Sequence, residues 1–93
     1  MTDRAPVGRI DVRQHACPVT WVKTRIALGR LQPGEILEVL LREGEARENV
    51  PRSAAEDGHR VIRLEPAPQE GEGTWSAWLE RGQAQEERER TWP

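Results

Sequence analysis

The chain has a single cysteine, Cys17, directly before Pro18 at the start of the strongest helical pattern in the sequence. Proline is well tolerated at the first position of a helix, so the sequence predicts that Cys17 is the N-cap and Pro18 the first helical residue. The first turn of a helix offers unpaired N–H groups and a partial positive charge. Both stabilise a thiolate, and cysteines at helix N-termini have pKa values below the usual value of about 8.5. We therefore expect Cys17 to be a nucleophile toward sulfane sulfur.

A lone cysteine has a second interpretation, a buried and unreactive thiol, which is the commoner case for free cysteines. No disulfide can form within the chain, so thiol–disulfide chemistry would have to be intermolecular. A four-ligand zinc site is not expected, because His15 and His59 are the only other soft ligands. We expect no metal and no cofactor.

Residues around Cys17 are candidates for supporting roles. The supporting helix start would be formed by Pro18, Val19 and Thr20. His15 could hydrogen-bond the sulfur or donate a proton, although a solvated loop residue is the commoner interpretation.

Further along the same helix, Trp21 could belong either to a partner-docking surface, where tryptophan is enriched, or to the core. Lys23 and Arg25 add positive charge for partner docking or electrostatics.

The elements that must position these residues follow from hydrophobic periodicity and from Pro and Gly breakers. Strands are predicted at 7–12, 35–41, 60–65 and 74–79, and helices from 18 to the Pro33 and Gly34 breaker and at 51–57. In the first helix the apolar stripe of Val19, Val22 and Ile26 is predicted to face the core. The order β-α-β-α-β-β indicates a two-layer α/β (α+β) sandwich with both helices on one face of the sheet.

Composition sets the limits of these predictions. The 93 residues fit one small domain, which we place at 1–81, followed by a charged tail at 82–93 that includes Trp92 and that we expect to be flexible. The net charge of -2 argues against a dedicated nucleic-acid binder.

The N-terminus has no apolar run of signal-peptide length, and the longest apolar stretch, 36–41, contains Glu38 and cannot span a bilayer. We expect a cytoplasmic protein with no membrane association.

Several short motifs stand at particular spacings from Cys17. Asp11 stands six residues before it and Thr24 seven residues after it, and the first helix ends at a Pro-Gly-Glu triplet, 33–35. Val50-Pro51 opens the second helix, and Gly58-His59 precedes the third strand. Over residues 7–80 this arrangement resembles the TusA/SirA family of sulfur carriers.

The resemblance implies a four-stranded mixed sheet covered by two helices. It also implies that Cys17 accepts sulfur as a persulfide from a donor protein, either a desulfurase or a rhodanese-like protein, and passes it to an acceptor protein. Family members serve tRNA thiolation, cofactor maturation or sulfur oxidation. Two positions depart from the family pattern: Thr20 stands where the family has a second proline, and Gln14 where a glycine is frequent.

A different class of function is a non-catalytic binding or regulatory module, for protein or RNA, with an incidental cysteine. Its phosphate contacts would come from Arg9, Arg13, Lys23, Arg25 and Arg30. The net negative charge and the absence of Phe and Tyr for base stacking make direct nucleic-acid binding the weaker hypothesis.

Overall fold

The computed structural model describes residues 5–16 and 18–82. Cys17 and the predicted tail beyond residue 82, with Trp92, lie outside these ranges. The elements are β1 (Gly8–Asp11), α1 (Val19–Gly29), β2 (Ile36–Arg42), α2 (Glu45–Glu56), β3 (Arg60–Pro66) and β4 (Thr74–Glu80), with a 3₁₀ turn, Pro68–Glu70, between β3 and β4. Their order is the predicted one.

The four strands form one mixed sheet in the order β1-β2-β4-β3. β1 pairs in parallel with β2, whereas β4 is antiparallel to both β2 and β3. A parallel pair needs a crossover connection, and α1 supplies it. The loop that enters α1 therefore starts at the carboxyl end of β1, at one edge of the sheet.

The core lies between the sheet and the two helices. Alternate residues of β2, Leu37, Val39 and Leu41, pack in one cluster with Leu28 of α1 and Val50 of α2. All five are at most 2% exposed, and each such side chain stabilises the fold by roughly 1.5–3 kcal/mol relative to exposure. This arrangement confirms the predicted fold, two helices packed on a four-stranded mixed sheet.

The second helix is longer than the sequence predicts. It was expected to start at Pro51, but α2 begins at Glu45 and Pro51 lies inside it. Glu45 and Glu48 in the first turn favour this earlier start, because acidic side chains complement the positive end of the helix dipole. Val50 and Ala54, four residues apart, are both fully buried, so packing against the sheet continues through the proline.

Polar contacts lie on the sheet face away from the helices. Ser76 donates a hydrogen bond to Glu38 at 2.7 Å, and Arg9 lies 3.5 Å from the same carboxylate. Arg9 also pairs with Glu70 at 2.6 Å, which joins β1 to the 3₁₀ turn. The turn that follows β3 is thereby held against the strand that leads to Cys17.

Candidate functional site

The loop between β1 and α1 runs from Val12 to Pro18 and carries the position of Cys17. Cys17 lies outside the described residues, whereas Ala16 and Pro18 on either side of it are described and exposed. Val12 fixes the start of the loop, because its side chain is buried and its N–H donates to the Leu40 carbonyl at 3.1 Å. The neighbours of the cysteine are therefore presented at the surface.

Arg13 ties this loop to the elements around it. Its Nε and Nη2 donate to the two carboxylate oxygens of Asp11, at 2.9 and 2.6 Å. Its Nη1 donates to the Glu70 carbonyl at 2.5 Å and to the Thr74 hydroxyl at 3.3 Å. The Arg13 carbonyl in turn accepts a hydrogen bond from Arg42 Nε at 3.3 Å. Sequence reasoning counted Arg13 only among the basic residues and missed this role, for which the Asp-x-Arg spacing at a strand end was the available signal.

Arg13 also sets the charge state of Asp11. The side-chain hydrogen bond from Arg13, and then that from its backbone N–H at 3.0 Å, lower the pKa of Asp11 to about 2. Asp11 thus accepts a backbone N–H of the cysteine loop. Glu35, in contrast, accepts the N–H of Gln32 at 2.8 Å in the turn between α1 and β2.

The start of α1 differs from the prediction by one residue. The helix begins at Val19 and Pro18 is its cap, so Cys17 precedes the cap instead of forming it. The N–H groups of Val19 and Thr20 both donate to the Ala16 carbonyl, at 2.8 and 3.4 Å. These two N–H groups of the first turn are therefore already bonded within the chain.

The buried face of α1 is not the predicted one. Thr20, Thr24 and Leu28 are fully buried at spacings of four residues, whereas Val22 and Ile26 are 49% and 53% exposed. The expectation that the valine and isoleucine stripe faces the core was wrong. Both sets of residues have helical spacing. The set with Thr20 and Thr24 is the buried one, because small side chains allow α1 to pack close to the sheet.

The outward-facing residues form an apolar stripe that begins two positions after Cys17. We use the name apolar stripe for Val19, Val22 and Ile26, which are between 43% and 53% exposed. Trp21 does not belong to it, because Trp21 is half-buried and packs against the core cluster. Of its two interpretations, the structure favours the core.

Thr20, which stands where the resemblance places a second proline, lies in the first turn of α1. Its carbonyl accepts a hydrogen bond from the Thr24 hydroxyl at 2.8 Å. Its own hydroxyl is buried and has no hydrogen-bond partner among the described residues. A proline in this position would remove only the long 3.4 Å bond to Ala16 and the unsatisfied hydroxyl. The substitution therefore leaves the course of the helix intact.

The remaining site candidates separate into two places. His15 and Lys23, both exposed, line one groove between β1 and α1. Arg25 points elsewhere and pairs with Asp57 after α2, at 3.5 Å, so it joins the two helices. His59 is buried, accepts the Gly82 N–H on Nδ1 at 3.0 Å and lies 3.5 Å from the Asp57 carboxylate. His59 thus anchors the chain just after β4.

Within residues 5–16 and 18–82, no group of three or more His, Cys, Asp or Glu side chains is arranged to hold a metal ion. In the same ranges, no helix has the length and apolarity needed to cross a membrane.

Comparison with known proteins gives a consistent family. The family model described as Sulfurtransferase TusA matches residues 8–81. A candidate sulfur carrier protein of Archaeoglobus fulgidus is 35% identical over 72 residues, covering 77% of this chain and 78% of the relative. One of Thermotoga maritima is 36% identical over 70 residues, covering 75% and 85%.

Among solved structures, a SirA-like protein from Desulfitobacterium hafniense superposes with a TM-score of 0.67 at 23% identity, covering 82% of this chain and 99% of that one. At this identity the likeness concerns the fold, which is again two helices on a four-stranded sheet. The family match over nearly all of the described residues, and the two relatives above one-third identity, settle the classification: the chain belongs to the TusA sulfurtransferase family.

Proposed function

We propose that this protein is a sulfur carrier in which Cys17 accepts sulfane sulfur as a persulfide and relays it to an acceptor protein. The observation that carries the proposal is the position of the apolar stripe on α1. It starts two residues after Cys17, in a family whose matched relatives are named as candidate sulfur carriers. A relay protein needs a reactive atom that its partners can reach and a surface on which they dock.

The transfer consists of two exchanges at sulfur. The Cys17 thiolate attacks the outer sulfur of a donor persulfide, a new S–S bond forms, and the donor leaves as a thiolate. An acceptor nucleophile then attacks the outer sulfur of the Cys17 persulfide, and the Cys17 thiolate is regenerated. No external oxidant or reductant is required, because each exchange breaks one bond to the transferred sulfur and makes another.

Features around Cys17 favour both exchanges. The dipole of α1 favours an anion before its first turn, and the thiolate and the persulfide are both anions. Arg13 holds the preceding loop through Asp11, Glu70 and Thr74, so little conformational freedom is left to be lost when a partner binds.

The partners of this relay would be a desulfurase or rhodanese-like donor and an acceptor protein, each bound transiently. Exposed apolar side chains that lie in one stripe are typical of protein–protein contact sites. We place the relay in the cytoplasm, where thiols are kept reduced.

Intact-mass spectrometry tests the persulfide directly. The protein is incubated with a cysteine desulfurase and cysteine, with Cys17→Ser as the control. We expect a gain of one sulfur, roughly 32 Da, that reductant removes and that the control lacks. No gain with any donor, from a thiol that alkylating reagents do not modify, would overturn the proposal.

A paired set of variants tests the docking surface. Val22→Ser/Ile26→Ser removes two exposed apolar side chains from the stripe, and Val7→Ser/Ile62→Ser removes two from other strands and loops, where they are 57% and 38% exposed. We expect loading from the desulfurase to slow by on the order of tenfold in the first variant only, the loss expected from about 1.4 kcal/mol of contact. Equal rates in the two variants would show that donors dock elsewhere.

A further inference from the structure

A groove separates the outer edge of β1 from α1. It has a volume of about 490 Å³, within the range of small-molecule sites. Its walls are formed by Ile10, Asp11, Val12 and His15 on one side and by Lys23, Ile26, Ala27 and Arg30 on the other. β1 is an edge strand that pairs only with β2 among the described residues, so the groove is open along the side of the sheet.

The groove combines an apolar floor with positive charge. Lys23 and Arg30 are exposed, and neither forms an ion pair within the described part of the chain. The only acid in the lining is Asp11, whose two carboxylate oxygens are already bound by Arg13. Two cations therefore face the groove without a local counter-charge.

The size of the groove favours a small molecule over a protein segment. Lys23 and Arg30 are seven residues apart on α1, which corresponds to about 10 Å along the helix axis. A short organic anion therefore contacts one of these two cations directly and is attracted by the other at longer range. The groove also opens beside the proposed sulfur site: His15 is in its lining, and two residues of chain hold the Cα atoms of His15 and Cys17 within about 7 Å of each other.

We propose that this groove binds small organic anions, and that the ligand it serves is a low-molecular-weight persulfide bearing a carboxylate. The inference rests on the proposed function and adds to it a donor class besides proteins. Lys23, six residues after Cys17, holds the carboxylate, and Arg30 adds positive charge farther along the groove. Ile10 and Ile26 contact the aliphatic body, and the sulfur end lies toward Cys17.

The reaction in this site is a thiol–persulfide exchange. The Cys17 thiolate attacks the outer sulfur of R–S–SH, the S–S bond of the donor breaks, and its electron pair leaves with R–S⁻. The proton of the outer sulfur passes to the departing thiolate, which gives R–SH and the Cys17 persulfide anion. Sulfur and charge balance, and no further reactant is consumed.

The test compares two small donors on three proteins. The donors are the persulfide of 3-mercaptopropionate and that of its uncharged amide, and loading of Cys17 is followed by intact mass. The proteins are the wild type, Lys23→Gln/Arg30→Gln, and the control Arg52→Gln/Arg60→Gln. The control removes two exposed charges from α2 and from β3, the strand at the opposite edge of the sheet. Because it lowers the net charge equally, it corrects for long-range attraction of anions.

The measured quantity is the ratio of the carboxylate-donor rate to the amide-donor rate. We expect this ratio to fall on the order of tenfold in Lys23→Gln/Arg30→Gln, as for the loss of one charge-assisted hydrogen bond, and to stay near the wild-type value in the control. Hexanoate should slow loading by the carboxylate donor in the wild type, and hexanamide should not.

Three results would count against the inference in distinguishable ways. If the ratio is the same in both variants while Cys17 still loads, the groove is not the donor site and the carrier function stands. If Lys23→Gln/Arg30→Gln impairs loading only from the desulfurase, the groove serves protein docking. If no donor, the desulfurase included, loads Cys17, the proposed function itself fails.

Discussion

Asp11 and Arg13, two residues apart at the end of β1, form a two-pronged ion pair with N···O distances of 2.9 and 2.6 Å. The same guanidinium reaches across to the Glu70 carbonyl and the Thr74 hydroxyl. One side chain thus joins the strand before the cysteine loop to the connection between β3 and β4. Planar, multi-donor geometry of this kind is specific to arginine.

Replacement of Arg13 by glutamine should loosen the cysteine loop without unfolding the domain. The substitution removes the guanidinium's hydrogen bonds to Asp11, Glu70 and Thr74 together, so the free energy of opening the loop falls. Amides of residues 13–16 should therefore exchange with solvent several-fold faster. Arg13→Lys should restore little of the protection, since an ammonium group cannot form the fork. Hydrogen-exchange mass spectrometry provides the measurement.

Arg52→Gln is the matched control for Arg13, because Arg52 is exposed on α2 and forms no ion pair with a described residue. Exchange in the loop that is unchanged in Arg13→Gln, or equally raised in both variants, would rule out a specific anchoring role.

The Asp11 pair should also be visible in the pH dependence of stability. Arg13 lowers the pKa of Asp11 from 3.8 to about 2, so the folded state favours the carboxylate. The stabilisation is complete above pH 3.8 and is lost as the pH falls toward 2. Because the Asp11 side chain is 48% exposed, it should amount to about 1 kcal/mol or less.

The measurement is the difference in unfolding free energy between the wild type and Asp11→Asn. This difference should be constant at neutral pH and should shrink between about pH 4 and pH 2. A difference that stays constant down to pH 2 would mean that the pair does not contribute to folding.

Most of the fold could be predicted from the sequence, because strand alternation and the Pro and Gly breakers are local signals. The errors arose where two patterns compete. On α1, Thr20, Thr24 and Leu28 have the same helical spacing as Val19, Val22 and Ile26, and hydrophobicity alone favours the stripe that the structure leaves exposed. For that reason the prediction placed Val19, Val22 and Ile26 in the core.

Other parts of the site depend on contacts between distant residues, which a single sequence does not reveal. Arg13 meets Glu70 and Thr74 across 57 and 61 residues, and the groove forms only when β1 lies beside α1. The role of Cys17 follows from its neighbours in sequence and from the family, and stays a prediction.

The two threonines inside α1 should respond differently to the same substitution. The Thr20 hydroxyl is buried without a partner among the described residues, so Thr20→Val should stabilise the domain by roughly 1 kcal/mol. The Thr24 hydroxyl donates to the Thr20 carbonyl, so Thr24→Val should lower the free energy of unfolding by up to about 1 kcal/mol. Chemical denaturation of both variants measures the contrast. A destabilised Thr20→Val would show that its hydroxyl is satisfied after all.

Gly82 should not tolerate a side chain. A Cβ built on it would overlap the Gly58 carbonyl oxygen, so the chain after β4 would have to move away from His59. Gly82→Ala is therefore expected to lower stability by about 2 kcal/mol or more. Gly8→Ala is the control, because its Cβ would meet Leu37 at an ordinary 3.5 Å. Similar thermal midpoints for the two variants would contradict this close approach.

β1 has four residues and pairs with a single neighbour, whereas β2 and β4 each pair with two. Detaching β1 breaks one ladder, but it also breaks the pairing of Arg9 with Glu70 and the hydrogen bonds of Arg13 to Glu70 and Thr74. These two arginines hold the edge strand by side chains where it lacks a second ladder. The strand before the cysteine loop and the connection between β3 and β4 should therefore open together, as one cooperative unit.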